Sequence, residues 1–412
     1  MRRLLLVSYY FPPLAGSGVF RPLRLVKHLP RYGWEVTVLT ASENMRVLKD
    51  PSLLPEVPSG TRVERTSSIE PRTALLAMHK LGLGRLARRI EPWLLLPDDQ
   101  RGWVPFACRR AAAVLHGLEH HAVLTTSGPV SAHLVGLCAP RKGLPWVADF
   151  RDEWTTNPYL RYPTRWHRRL NRRLERRVLT EAGRVVCVSD PWLDNLRGLV
   201  PDQAPGKFMA LPNGFDADHF TQPPPPPPER FRVIYTGTFY GHRSPRVFLE
   251  ALHRVVREGR IPTADLEVVF VGHTANAEGL ASLPGGLVHV VEQRPFFESL
   301  AYLREAAVLL LVIPREGGAG NHTGKLFNYL ASGRPILALA PEGNVAANLI
   351  RETRSGTVAP PDDPGAVSNA LVRLYQEWKS GNPLPDQDRQ AIGAYEARPQ
   401  AEAYARLLDQ LL

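Results

Sequence analysis

Lys325 stands in a setting that suits an anion. It lies in "GNHTGKLFNYLASGRPIL", residues 320–337, just after the apolar run "AVLLLVIP". Gly324 permits close approach of the backbone to a ligand. The helix starting near Lys325 presents first-turn N–H groups and the positive end of its dipole. Lys325 adds a full charge, and Asn321, Thr323 and Asn328 add hydrogen-bond donors. The stretch comes near the phosphate-loop pattern G-x-x-x-x-G-K-[ST] but fails it twice. Ala319 stands five before Gly324, and Leu326 follows the lysine where a hydroxyl should bind Mg²⁺. An ATPase of that type is disfavoured. The plainer alternative is a helix start with Thr323 as its N-cap.

A second cationic turn lies in "YTGTFYGHRSPRVFLEAL". A strand ends at Gly237, the loop carries His242 and Arg243, and a helix begins with Pro245 and Arg246. Lys325, Arg243 and Arg246 on two converging turns suit a diphosphate better than a monophosphate; the alternative leaves the arginines as solvated surface. Near the N-terminus, "AGSG" places Gly16, Ser17 and Gly18 in a G-x-G turn, with Arg21 where a dinucleotide site needs a third glycine. That pattern is equally a tight strand-to-helix turn.

These turns belong to a βα rhythm. "RLLLVSYYF", "WEVTVLT", "HAVLTTS", "PWVADF", "RVVCVS" and "KFMALPN" read as strands of a first domain. "FRVIYTGTF", "DLEVVFVGH", "LVHVVEQ", "AVLLLVIP", "PILALA" and "GTVAPP" read as strands of a second. Short apolar strands alternating with helices imply parallel sheets covered on both faces. Ligand sites then lie at the carboxyl ends of the strands. Six prolines, Pro223 to Pro228, form a stiff extended connector. The expected division is residues 1–220, a linker at 221–230, a second domain at 231–390 and a closing helix at 391–412. A basic, apolar helical insertion at 70–103 interrupts the first domain.

The chain has 412 residues and a net charge of +11, with 44% hydrophobic and 22% charged residues. That is ordinary globular composition with a bias towards anionic partners; a GC-rich genome that loads surfaces with arginine would give the same charge. Cys108, Cys138 and Cys187 are far apart and odd in number, so neither a disulfide nor a zinc site is expected, and a reducing cytoplasm fits. "MRRLLLVSYYFPP" resembles a leader peptide but runs straight into a strand–turn–helix pattern and reads as the first strand. No apolar run approaches the roughly 20 residues of a membrane span.

Taken in order, "YYFPPLAGSGVFRPLRLVKHLPRYGWEVTVLT", "TTSGPVSAHLVG", "PWVADFRDEWT", "VSDPW", "LPNGFD", "YTGTFYGHRSP" and "GKLFNYLASGRPIL" resemble glycosyltransferases of the family 4 type over nearly the whole chain. The resemblance implies an α/β GT-B fold, two doubly wound Rossmann-like domains facing a central cleft. It implies a retaining enzyme of the hexosyltransferase type that uses a nucleotide-diphosphate sugar as substrate, with no cofactor and no metal. Donor binding falls to the C-terminal domain: Gly237, His242, Glu316, Asn321, Thr323, Gly324 and Asn328. Arg243, Arg246 and Lys325 would neutralise the departing diphosphate. Asp149 and Asp152 of "DFRDEW" join them as catalytic candidates at the cleft. Gly16, Ser17, Gly18, Arg151 and His133 fall on the acceptor or phosphate side. Members often carry two glutamates eight positions apart; here Asn328 and Gly320 occupy those positions, and Glu316 is the nearest candidate for the first. Many also have a histidine about where Arg151 stands. A nucleotide-sugar epimerase and a non-catalytic nucleotide-sugar-binding protein share the architecture and remain the alternatives.

On a helical wheel of "RWHRRLNRRLERRV", Trp166, Leu170, Leu174 and Val178 share one arc, expected to pack inward. Arg165, Arg168, Arg169, Arg172, Arg173, Arg176 and Arg177 take the other half. That face suits an anionic membrane surface or a lipid-linked acceptor, and equally a solvated face. Nucleic acid is not expected, because no aromatics interleave as stacking platforms.

Overall fold

The structure is a computed structural model. It describes residues 1–412 except 44–47, 140–142, 223–224, 227, 240, 273–285 and 382–386. Three of the connector prolines, at 223, 224 and 227, lie outside the described residues, as do Tyr240 and His273.

The chain forms two compact units, Met1–Pro212 with Ala397–Leu412, and Asn213–Glu396. The first unit runs β1 (Arg2–Val7), α1 (Phe20–His28), β2 (Trp34–Ala41), β3 (Arg62–Thr66), α2 (Pro71–Lys80), α3 (Gly84–Leu94), α4 (Val104–Gly117), β4 (Ala122–Thr126), α5 (Ser131–Cys138), β5 (Trp146–Phe150), α6 (Arg165–Glu181), β6 (Arg184–Cys187), α7 (Asp190–Leu199) and β7 (Phe208–Ala210). The second runs β8 (Phe231–Thr236), α8 (Arg246–Arg257), β9 (Leu266–Val271), β10 (Val288–Val291), α9 (Phe296–Arg304), β11 (Val308–Val312), α10 (Gly324–Ser332), β12 (Ile336–Leu339), α11 (Val345–Glu352), β13 (Gly356–Ala359), α12 (Pro364–Lys379) and α13 (Arg389–Gly393). The last helix, α14 (Ala397–Asp409), belongs to the first unit, where Tyr404, Leu407 and Leu408 enter a core shared with β1 and β4.

Both sheets are wholly parallel. The first has the order β3-β2-β1-β4-β5-β6-β7 and the second β10-β9-β8-β11-β12-β13. In each, the chain starts at the centre, winds to one edge, then returns and winds to the other. The switch points fall between β1 and β4 and between β8 and β11, where ligands bind beyond the strand ends. The central strands are buried on both faces: Leu4, Leu5 and Leu6 of β1 and Leu309, Leu310 and Leu311 of β11 have no exposed surface. Each such leucine contributes about 1.5–3 kcal/mol relative to an exposed one.

Three expectations need correction. First, β3 is a strand that the sequence pattern did not give; "RVERT" is a half-buried edge with little apolar signal. Second, Cys108 and Cys138 are joined as a disulfide, with Cα atoms 6.0 Å apart. They stand 30 positions apart, but α4 and α5 pack side by side and bring them together. Cys187 is a buried free thiol, and burial pushes it up to about 12. Third, α6 buries His167, Asn171, Glu175, Val178 and Leu179, while Trp166 is exposed. The inner face is polar because the loop after β5 satisfies it. Trp154 Nε1 donates to Asn171 Oδ1 at 2.8 Å, and Thr155 donates its N–H and hydroxyl to the Glu175 carboxylate. Burial pushes that carboxyl up to about 7.

Candidate active site

The cationic site of the second unit is built on its switch point. β8 ends in Tyr235 and Thr236, and Gly237 follows at φ +111°. A Cβ on Gly237 would lie 2.8 Å from Lys325 Nζ, so glycine leaves the space that the ammonium occupies. Lys325 extends from the first turn of α10, and its Nζ sits 3.7 Å from the centre of the Tyr235 ring. Tyr235 in turn stacks on Phe239 at 4.0 Å. The Nζ atom is buried and has no hydrogen-bond partner among the described residues. Burial, reinforced by the nearby Arg243 charge, pushes the ammonium well below its ordinary pKa.

Arg243 is buried, and its Nε donates to the Val312 carbonyl at the end of β11, at 3.1 Å. One guanidinium edge is thereby fixed to the neighbouring strand. Thr323 occupies the N-cap position of α10 with extended backbone, but its hydroxyl makes no cap bond and is buried without a partner. The plain N-cap role is therefore not what this side chain performs. Beyond it, Gly324 is exposed, and a Cβ there would meet nothing. Asn321 and Asn328 are half-buried on either side. His242 and Glu316 meet at 3.6 Å, and both are half-exposed. Arg246 does not join this group. Its side chain is largely exposed and pairs with Glu250 one turn on, at 2.9 Å. The start of α8 aims it outward, so the expected convergence narrows to Lys325 and Arg243.

In the first unit, several expected roles change. Asp149 is fully buried and saturated. It accepts from Arg21 Nε at 3.0 Å and Nη2 at 2.9 Å, from Thr126 Oγ1 at 2.7 Å and from the Tyr404 hydroxyl at 3.0 Å. Arg21 also donates to the Leu211 and Pro212 carbonyls, at 2.8 and 2.9 Å. Burial works against its charge, and Asp149 more than offsets it, so the Arg21 pKa rises. A carboxylate so engaged has no room to act as a base. The arginine that breaks the dinucleotide fingerprint is a structural hub instead. His133 is fully buried, bonded to Thr125 Oγ1 at 2.8 Å and packed on Phe150 at 4.3 Å. Burial lowers it to about 3, so it is a neutral core histidine out of reach of any acceptor.

The loops after β1 and β4 are held by Arg151. Its backbone N–H donates to Ser127 Oγ at 2.8 Å, Nη1 to the Gly18 carbonyl at 2.6 Å and Nη2 to the Gly128 carbonyl at 3.2 Å. Gly18 is needed here: a Cβ would lie 2.9 Å from the Tyr10 ring. Gly16, at φ +110°, and Ser17 are exposed at the tip of the same loop, and Asp152 is exposed after β5. Two residues were not anticipated. Tyr235 looked like strand core, and only the glycine two residues on hinted at a ligand turn. Asp98, in the insertion, caps α5 by accepting from Ser131 N–H at 2.7 Å and Oγ at 2.6 Å; burial raises it to about 6.

A half-buried lysine whose buried Nζ has no hydrogen-bond partner among the described residues, a buried arginine beside it, an orphaned hydroxyl and an open helix start can together take up an anion carrying several oxygens.

Residues 18–214 match the glycosyl transferase 4-like domain, and residues 230–377 match the glycosyl transferases group 1 domain. No curated protein sequence matches the chain. Among solved structures, the chain is similar to HepE from Anabaena, solved in complex with UDP and glucose, at 13% identity and TM-score 0.69, with 100% of each chain covered. It is also similar to sucrose-phosphate synthase from Thermosynechococcus elongatus, at 17% identity and TM-score 0.67, covering 100% of this chain and 99% of that one. A putative UDP-N-acetylglucosamine 2-epimerase from Listeria monocytogenes shares the fold at 14% identity and TM-score 0.61, covering 99% of this chain and 96% of that one. With both halves matched in this order and a doubly wound sheet in each, the chain belongs to the family 4-type glycosyltransferases of GT-B fold.

Proposed function

We propose that the protein transfers a hexosyl group from a nucleotide-diphosphate sugar to an acceptor hydroxyl, with retention of configuration and without a bound metal. The single observation that carries this reading is Lys325, whose Nζ is buried beside Gly237 and Arg243 and lacks a hydrogen-bond partner among the described residues. A donor diphosphate supplies the missing charge. As the bond from the sugar to the diphosphate breaks and the bond to the acceptor oxygen forms, negative charge grows on the diphosphate, which takes up the proton that the acceptor hydroxyl loses. Lys325, Arg243 and the start of α10 stabilise it where a metal otherwise would. His242, Glu316, Asn321, Thr323 and Asn328 line the donor side. Asn328 offers a neutral hydrogen bond to a ribose hydroxyl. The acceptor engages the first unit at the loops that Arg151 holds, with Asp152 the available carboxylate.

The acceptor belongs to cell-surface polysaccharide, glycolipid or natural-product synthesis in the cytoplasm, and Arg165–Arg177 give peripheral contact with an anionic membrane face. All seven arginines in that stretch of α6 are exposed, which supports this contact. None of the helices is long and apolar enough to cross a membrane, among the described residues. The test is a panel of nucleotide sugars with product analysis by mass spectrometry, in the presence of EDTA. Transfer of a hexose to an acceptor, unchanged by EDTA, is expected. Epimerised free nucleotide sugar, or binding with no turnover on any acceptor, would replace this reading with one of its two alternatives.

A further inference from the structure

The insertion between β3 and α4 is a helical hairpin on a closed stalk. Ile69 N–H donates to the Gly102 carbonyl at 3.3 Å, and a Cβ on Gly102 would overlap the Ile69 carbonyl. Arg72 pairs with Asp99, and Asp98 fixes the stalk to the first turn of α5. Outside the stalk the hairpin buries very little. Only Pro71 and Leu75 of α2 and Ala87 of α3 are buried. Helices of 10 and 11 residues are marginal without a packed face.

The large apolar side chains instead point outward. Leu76, Leu81, Leu83 and Leu86 are all exposed, Leu81 at 74%. Trp93 of α3 packs against Trp166 of α6 with ring centres 4.7 Å apart and ring planes tilted by 49°, and the two remain 48% and 51% exposed. Half-exposed tryptophans are what a membrane–water interface favours. Arg72, Lys80, Arg85, Arg88 and Arg89 lie along the two helices against one acid, Glu91, and the arginine face of α6 begins beside the tryptophan pair.

We infer that the α2–α3 hairpin, with Trp93 and Trp166, is an interfacial element that seats the first unit on an anionic lipid bilayer. This rests on the membrane contact proposed for Arg165–Arg177 and adds the apolar half of it. Arginines alone give attraction that salt screens; leucines and tryptophans entering the headgroup layer give attachment that persists in salt. The occupant is lipid rather than a second copy of the chain, because a self-complementary dimer face would bring like charges together. The stalk joins this face to the turn ahead of α5 through Asp98, so a lipid-linked acceptor would arrive beside the loops that Arg151 holds.

The test is flotation of the full chain with phosphatidylcholine vesicles, with and without phosphatidylglycerol, at low and high salt. Wild type is expected to bind the anionic vesicles and to keep part of that binding in high salt. Leu81→Glu/Leu83→Glu, which alters only exposed side chains, should lower the partition coefficient at least tenfold and remove the salt-resistant part. Arg168→Glu/Arg172→Glu should remove the dependence on phosphatidylglycerol. If the leucine variant binds like wild type while the arginine variant does not, the hairpin inference falls and the arginine contact stands. If wild type binds neither vesicle, both fall. A dimer that the leucine variant dissolves, with no vesicle binding, would overturn the lipid in favour of a second copy.

Discussion

Each unit buries a cation near the start of a helix that follows one of its central strands, and the two cations are treated in opposite ways. Arg21 is surrounded by acceptors: both oxygens of Asp149 and two backbone carbonyls. Lys325 is surrounded by an aromatic face, a glycine and another cation, and its Nζ has no hydrogen-bond partner among the described residues. The satisfied charge is already stable and has nothing left to offer a ligand. The unsatisfied one costs the free protein stability and leaves a charge for an anion to meet. A buried cation therefore points to function when its partner is missing, and to architecture when its partner is present.

The largest test of that contrast removes the partner in the first unit. Asp149→Ala leaves Arg21 buried and uncompensated and should lower stability by about 3–5 kcal/mol in urea unfolding. Replacing both residues with apolar ones, Arg21→Met with Asp149→Leu, should cost less than the single change, because no charge is stranded. A small loss for Asp149→Ala would mean that the hub is not structural.

The intermediate test has the opposite sign. Lys325→Met keeps an unbranched stem against Tyr235 but removes the orphaned charge. It should stabilise the free protein by about 1–3 kcal/mol near neutral pH while abolishing any binding of a nucleoside diphosphate that the wild type shows in a panel of bases. The pH dependence follows from the direction of the shift. The folded-state pKa is depressed below the ordinary 10.5, so the unfolded chain holds more protons beneath that value. Wild-type stability should therefore rise with pH towards 10.5, and its deficit against Lys325→Met should close over the same window. A deficit that does not change with pH, or a less stable methionine variant, would remove Lys325 as an uncompensated charge.

The sheets were legible because strands buried on both faces are continuous apolar runs, as in β11 and β12. The edge strand β3 was not, since Val63 is its one apolar residue among Arg62, Glu64, Arg65 and Thr66. Turn chemistry carried Lys325, Gly237 and Arg243, because a strand, a glycine and a basic helix start follow one another in sequence. Asp149 and His133 were misjudged for a different reason. Residue type and position after a strand say nothing of whether hydrogen-bonding capacity is already filled by Arg21 or Thr125. The wheel for α6 failed likewise: a polar face can turn inward when a loop such as 154–155 supplies partners.

The smallest expected effect concerns Arg246, and it sharpens what convergence means. Arg243 and Arg246 lie three positions apart, and sequence alone gives them equal claim. Arg243 is buried and tied to Val312, so its guanidinium pays no further ordering entropy on meeting a ligand. Arg246 is solvated and holds Glu250 in an exposed pair of the kind that contributes little. Calorimetry with the nucleoside diphosphate that a panel of bases selects should show Arg246→Ala within about 0.5 kcal/mol of wild type. Arg243→Ala should weaken binding by about 1.5–3 kcal/mol, the range for a hydrogen bond to a charged group. Equal losses from the two variants would show that the long-range field of the helix start, rather than the buried pair of Arg243 and Lys325, attracts the anion.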